Sequence, residues 1–159
     1  MRPGEIFALR RGAISKFHVD IKERVYRGIL ETPKSPKSIR KAAFSDGLLQ
    51  DLETWMKRLP DTGPSGWLFP SEKLNKPLAR DNVWRRNIRP RLKAVGLDWV
   101  NFLVLRRTHA TLMYELKVDP KLVAAQQSHA VDVNLNVYTE IPVELKKQAV
   151  DGLESVLIN

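Results

Sequence analysis

LVLRRTHATLM, residues 103–113, is the stretch from which the order of the whole chain can be worked out. It lies in a helix expected over about residues 104–116, opened by the adjacent cations Arg106 and Arg107. Directly after it, Asp119 can cap a second helix with Pro120 at its first position, running to about Gln127. Then comes QQSHAVDVNLNVYTE, residues 126–140, with a short helix expected near 131–138 and a final amphipathic helix near 143–157. Upstream, a basic helix runs from about Leu78 to Ala94, interrupted or bent before Pro90. Residues 60–77, PDTGPSGWLFPSEKLNKP, form a long loop whose Trp67–Leu68–Phe69 is tacked onto the core. Ser45 or Asp46 caps a helix through about Arg58, with Leu48, Leu49, Leu52, Trp55 and Met56 as an apolar stripe. Of these, Leu48, Leu52 and Trp55 are expected to be core packing, as is Trp84.

The front of the chain reads differently. A short helix is expected over residues 5–11. Residues 14–31 hold the β-branched and aromatic residues of two strands, with a turn near Lys22–Glu23. After the proline-containing loop TPKSPKS, a third strand near 39–44 would complete a small antiparallel sheet. The fold class is α+β and mainly helical, a single domain over residues 1–159 with its sheet near the amino terminus. A chain of 159 residues suits one well-packed core.

Composition narrows the function. The 27 Lys and Arg against 18 Asp and Glu give a net charge of +9. The excess is clustered: residues 80–93, RDNVWRRNIRPRLK, carry six basic groups and one acid. Such a stripe favours a polyanion, and duplex DNA is the first candidate. Arg80, Arg85, Arg86, Arg89, Arg91 and Arg107 are the expected DNA contacts. No apolar run is long enough to span a membrane, and the start MRPGEIFALRRG has no apolar export core. With no cysteine, the expected location is the reducing cytoplasm. Neither G-x-x-x-x-G-K-[ST] nor G-x-G-x-x-G occurs. His18, His109 and His129 lack ligand-type spacing, and no pair of acids stands out for two-metal chemistry. No cofactor and no metal are expected.

What remains is an ordered set of arginine, lysine, histidine and tyrosine: Arg2 in MRPGE, Arg106 in LVLRRTHATLM, and His129 nine residues before Tyr138. In these segments the chain resembles the catalytic domain of the tyrosine recombinases, the phage-integrase family. TPKSPKSIRKAAFSD is similar to that family's lysine-bearing hairpin, and GWLFPS followed by the basic helix is similar too. The resemblance implies site-specific recombination of duplex DNA through a 3′-phosphotyrosine, with Tyr138 as nucleophile. It implies Arg2 and Arg106 as phosphate clamps, Lys34 as general acid, His129 as hydrogen-bonding partner and Glu5 as the residue orienting the site. Lys37, in the same loop as Lys34, is the alternative acid. Self-association on DNA through the carboxy-terminal helix is a further implied property.

The chemistry suits these residue types. A tyrosine hydroxyl, with a reference pKa of about 10, attacks phosphate poorly unaided. Guanidinium groups hold phosphate oxygens in a planar fork and keep their charge at neutral pH. The phosphotyrosyl bond conserves the ester energy, so rejoining consumes no ATP.

Three departures from the family pattern stand out. Leu103 occupies the position of a histidine three residues before the second arginine. His109, one helical turn beyond Arg106, reads better as a buried structural histidine than as its replacement. Gln127–Ser128–His129 replaces Leu-Gly-His, so the turn that aims His129 is expected to lack glycine's freedom. The chain also begins one residue before Arg2, so the first catalytic-domain helices and an amino-terminal DNA-clamping domain are expected to be missing. Alternative readings are a catalytically impaired DNA-binding remnant and a topoisomerase-like relaxase.

Overall fold

The computed structural model describes residues 1–32 and 38–128, together with Val143, Lys147, Val150 and Asp151. Lys34, Lys37, His129 and Tyr138 lie outside these residues, as does the short helix expected near 131–138.

Helix α1 (Pro3–Phe7) ends sooner than expected and gives way to a 3₁₀ turn at Arg11–Ala13. From Leu9 to Gly12 the backbone also bonds to the long loop. Leu68 N–H donates to the Leu9 carbonyl at 2.8 Å, Arg11 N–H to Gly66 at 2.9 Å and Gly12 N–H to Pro64 at 2.8 Å. A continuing helix would have used those groups internally.

The strands number four among the described residues, in two separate ladders. Strand β1 (His18–Ile21) pairs antiparallel with β4 (Arg40–Ala43), Val19 opposite Ala42 and Ile21 opposite Arg40. Strand β2 (Arg24–Tyr26) pairs with β3 (Ile29–Glu31) as a short ribbon. The expected turn at Lys22–Glu23 is therefore the link between two sheets, and the hairpin turn is Arg27–Gly28. Both of those residues have positive φ, 50° and 79°, the backbone that a two-residue hairpin turn of matching twist demands. Glycine makes that turn cheap, so β2 folds onto β3 and leaves β1 to pair with β4.

Helix α2 (Asp46–Met56) starts where expected, the Ser45 hydroxyl accepting from Leu48 N–H at 3.4 Å. Leu52 and Met56, four residues apart, pack on the buried cluster of Leu9, Val19, Ile21, Ala42 and Leu68. Trp55 donates from its indole nitrogen to the Leu68 carbonyl at 2.7 Å and stacks on Phe69. Leu48, in the first turn, and Trp55 stay 48% and 38% exposed, so of this helix's three expected core residues only Leu52 packs inward. Fully buried Leu68 bears out the tacked-down loop.

Helices α3 (Arg80–Val83) and α4 (Arg89–Ala94) are joined by a π turn at Trp84–Ile88. The wide turn is the expected interruption before Pro90, which has no N–H for the α-helical ladder. Trp84 is half-buried, its ring 4.7 Å from that of Phe102. Helix α5 (Phe102–Glu115) is capped by Asn101, which accepts from Leu103 and Val104 N–H at 2.9 and 3.0 Å. Helix α6 (Pro120–Gln127) is capped by Asp119, which accepts from Lys121 N–H at 2.7 Å. Val143, Lys147, Val150 and Asp151 are helical positions, and Lys147 pairs with Asp151 at 2.5 Å.

Candidate active site

The last carbonyls of an α-helix have no partner within the helix and carry its partial negative charge. At the end of α6 three arginines meet them. Arg40 Nε donates to the Gln126 carbonyl at 3.2 Å, Arg106 Nη2 donates to that of Gln127, and Arg2 Nη2 donates to that of Ser128 at 3.1 Å. Three successive carbonyls thus collect guanidinium groups from the residue that caps α1, from β4 and from α5. Arg2 and Arg106, distant in the chain, are brought to neighbouring peptide groups immediately before His129.

Ser128 makes this geometry possible. It leaves the helix in the left-handed region, φ 58° and ψ 53°, the conformation for which glycine is the usual residue at a helix end. The serine adopts the glycine-like turn despite its side chain, and its hydroxyl lies 3.3 Å from that of Ser38.

Glu5 sits behind Arg2. Its carboxylate is only 2% exposed and faces both Arg40 and Arg2. Arg40 Nη2 donates to Oε2 at 3.0 Å and Nη1 to Oε1 at 3.3 Å. The Arg2 amide donates to Oε2 at 2.8 Å, and Arg2 Nη1 stands 3.5 Å from Oε1. Burial pushes this carboxyl up, but the hydrogen bonds and charges of Arg40 and Arg2 outweigh it and hold the group below its ordinary value. Glu5 thus lies directly against Arg2.

Arg106 is buried in the middle of the site. Gln127, at the end of α6, donates from Nε2 to the Arg106 carbonyl at 3.2 Å and lies 2.8 Å from His109 Nδ1. The amide nitrogen can only donate, so His109 Nδ1 accepts and its proton resides on Nε2. Partial desolvation where the ring meets Gln127, the chain's amino group and Arg106 all lower the His109 pKa, favouring this neutral ring. His109 is exposed rather than buried, correcting the structural reading. It reaches across to the polar end of α6 instead of into the core. Leu103, one turn before Arg106, is 46% exposed.

Arg80, Arg85, Arg86, Arg89, Arg91 and Arg107 are all exposed. Arg80 bonds its neighbour Asp81 at 2.8 Å, and Arg85 reaches Asn82 Oδ1 at 3.1 Å. Two members of the site were invisible in sequence reasoning: Arg40 and Gln126. Gln126 closes a two-bond clasp on β4, accepting from Ala43 N–H at 2.9 Å and donating to the Ala43 carbonyl at 2.6 Å. Arg40 lies within the recognised hairpin segment, but only the fold reveals its buried acid partner.

Residues 1–144 match the sequence profile of the phage integrase family. The chain belongs to that family. It is 26% identical over 148 residues to a tyrosine recombinase XerC-like protein of Caldanaerobacter subterraneus subsp. tengcongensis, covering 85% of this chain and 37% of that protein. Among solved structures, the Tn1549 transposon integrase in complex with transposon right end DNA superposes with a TM-score of 0.76. That match has 16% identity and covers 97% of this chain and 55% of the integrase chain. The XerA recombinase superposes at 0.69 with 17% identity, covering 95% and 53%. At these identities the structural likeness speaks for the phage integrase catalytic fold, α+β with the small antiparallel sheet at the front. The chain spans 37% of the curated relative and about half of these integrase and recombinase chains.

Proposed function

We propose that residues 1–159 form the strand-cleaving domain of a site-specific recombinase acting on duplex DNA. The observation that carries this reading is the convergence of Arg2 and Arg106 on adjacent carbonyls just before His129. Two fixed cations side by side suit the non-bridging oxygens of one phosphodiester. Tyr138 attacks the phosphorus, the bond to the 5′ oxygen breaks, and Lys34, or Lys37 from the same loop, supplies the proton to the leaving 5′-hydroxyl. His129 hydrogen-bonds the phosphate, and Glu5 orients Arg2. Losing one such preorganised donor raises the barrier by about 2.7–4 kcal/mol, as for an oxyanion hole.

The exposed arginines of α3, the π turn and α4, with Arg107, track the DNA backbone. No helix among the described residues is long and apolar enough to cross a membrane, and this chemistry belongs in the cytoplasm. Self-association through the carboxy-terminal helix is supported by Val143 and Val150, helical positions seven apart that are 71% and 63% exposed.

The test is trapping on nicked suicide duplexes of randomised sequence. A covalent complex that survives denaturation is expected, and Tyr138→Phe abolishes it while leaving DNA binding nearly unchanged. An adduct that persists in Tyr138→Phe removes Tyr138 from the mechanism. One observation favours a second reading, a domain that binds DNA but cleaves it poorly. Leu103 presents an apolar side chain where the family's pattern has a proton-handling histidine. Leu103→His is expected to speed adduct formation by about 10²–10⁴-fold, the usual range for general acid–base help. Rapid cleavage by the unaltered chain, unimproved by histidine, excludes the second reading.

A further inference from the structure

Glu5 is a buried carboxylate between two guanidinium groups, and the two are not equivalent. The Arg40 side chain is only 8% exposed and grips both carboxylate oxygens at 3.0 and 3.3 Å. Its remaining donor capacity goes inward as well, to the carbonyls of Ser38 at 3.1 Å and Gln126 at 3.2 Å. Arg2 is half-exposed, and its guanidinium stands off the carboxylate at 3.5 Å. Arg40 therefore neutralises Glu5 from behind, leaving Arg2 with a loose hold on the acid and an open side.

We propose that Arg40 is a positioning residue for the phosphate clamp, keeping Arg2 available to phosphate by occupying Glu5 and anchoring the end of α6. The inference rests on the reading of Arg2 and Arg106 as phosphate ligands and adds a cause for their arrangement. Without Arg40, Arg2 is the ion-pair partner left beside the buried carboxylate. Arg2 then closes onto Glu5 in a full ion pair, because an uncompensated buried charge is far costlier than a phosphate contact forgone. The Gln126 carbonyl loses its donor in the same step, although the clasp of Gln126 on Ala43 still ties α6 to β4. Arg40 does not touch the substrate; it acts through Arg2.

The test follows the arginine ζ-carbons by NMR in protein carrying [13Cζ]-arginine while inorganic phosphate is titrated. Arg2→Lys and Arg106→Lys assign the two signals. In the unaltered chain both signals are expected to respond on one binding curve. In Arg40→Met the Arg2 response weakens at least tenfold and that of Arg106 persists. Arg40→Met/Glu5→Gln, which removes the acid as well, restores the Arg2 response to within about threefold of the original. A purely structural role for Arg40 predicts no such selective loss and recovery. Should Arg40→Met fail to fold, Arg40→Lys keeps the charge but not the two-oxygen grip, and a several-fold weaker Arg2 response is expected. Unchanged phosphate affinity at Arg2 in a folded Arg40 variant overturns the inference alone. No phosphate response at Arg2 in the unaltered chain overturns the clamp itself, and the inference with it.

Discussion

Ser128 carries a left-handed backbone with a side chain, which costs an L-residue about 1–2 kcal/mol relative to the right-handed region. Glycine adopts that conformation freely, although it gives up the hydroxyl contact with Ser38 and gains unfolded-state entropy. Ser128→Gly is expected to stabilise the chain by roughly 0.5–1 kcal/mol, raising Tm by about 1–4 °C for a domain of this size. Thermal unfolding reads this directly, and a lowered Tm would mean that the hydroxyl outweighs the backbone. Glu5 gives a second residue-scale prediction. Its folded carboxyl is held below the ordinary value, so its stabilisation is present above that value and is lost as pH falls through the folded one. Glu5→Gln should cost about 3–5 kcal/mol near neutral pH by leaving Arg40 buried without its acid. It should also flatten the loss of stability below about pH 4.3, the ordinary glutamate range. Denaturant midpoints measured from pH 3 to 7 check both; an acid limb as steep as the original would contradict the assignment. Arg2, Glu5 and Arg106 stand out in the sequence because they lie in short segments that resemble the family's pattern, and the fold places them at one end of α6. Arg40 does not stand out, since a basic residue at the start of a strand reads as surface until its acid partner is seen across the fold. His109 misled for the same reason: nothing local announces that Gln127 faces it from another helix.

At the scale of elements, caps and breakers were read with the most success. Ser45, Asp119–Pro120 and the bend before Pro90 each act within one turn of the chain, so local sequence determines them. Strand pairing was not legible, because β1 finds β4 across the intervening ribbon and the expected turn at Lys22–Glu23 connects two sheets. The decisive local feature was Gly28, whose positive φ closes the ribbon. A different glycine couples that ribbon to the site. A methyl group on Gly4 of α1 would lie 2.6 Å from the Val25 carbonyl oxygen of β2, closer than any real contact allows. Gly4→Ala must therefore push α1 off the ribbon, moving Arg2 and Glu5 with it. The expected cost is about 1–3 kcal/mol, the range for overpacking. Alongside it, the phosphate response of Arg2 should weaken more than that of Arg106. Equal stability and equal response would show that α1 slides freely on β2.

Across the whole molecule, the proposed function makes the clustered positive charge the surface that meets DNA. Each phosphate contact releases counterions and contributes about −0.9 to the slope of log K against log salt. Changing Arg85, Arg86 and Arg89 together to Gln should make that slope shallower by up to about 2.7, if each meets one phosphate. A slope that stays the same would take the basic helix off the DNA surface. The central claim, that this domain breaks DNA through Tyr138, is tested most directly by finding the residue joined to the DNA. Adduct formed on nicked duplexes, with Leu103→His included to speed the step, is digested by protease and the phosphotyrosyl peptide identified by mass spectrometry. A 3′-phosphate ester on Tyr138 is expected. Attachment at Tyr26 or Tyr114, or no adduct even with the histidine in place, would contradict it.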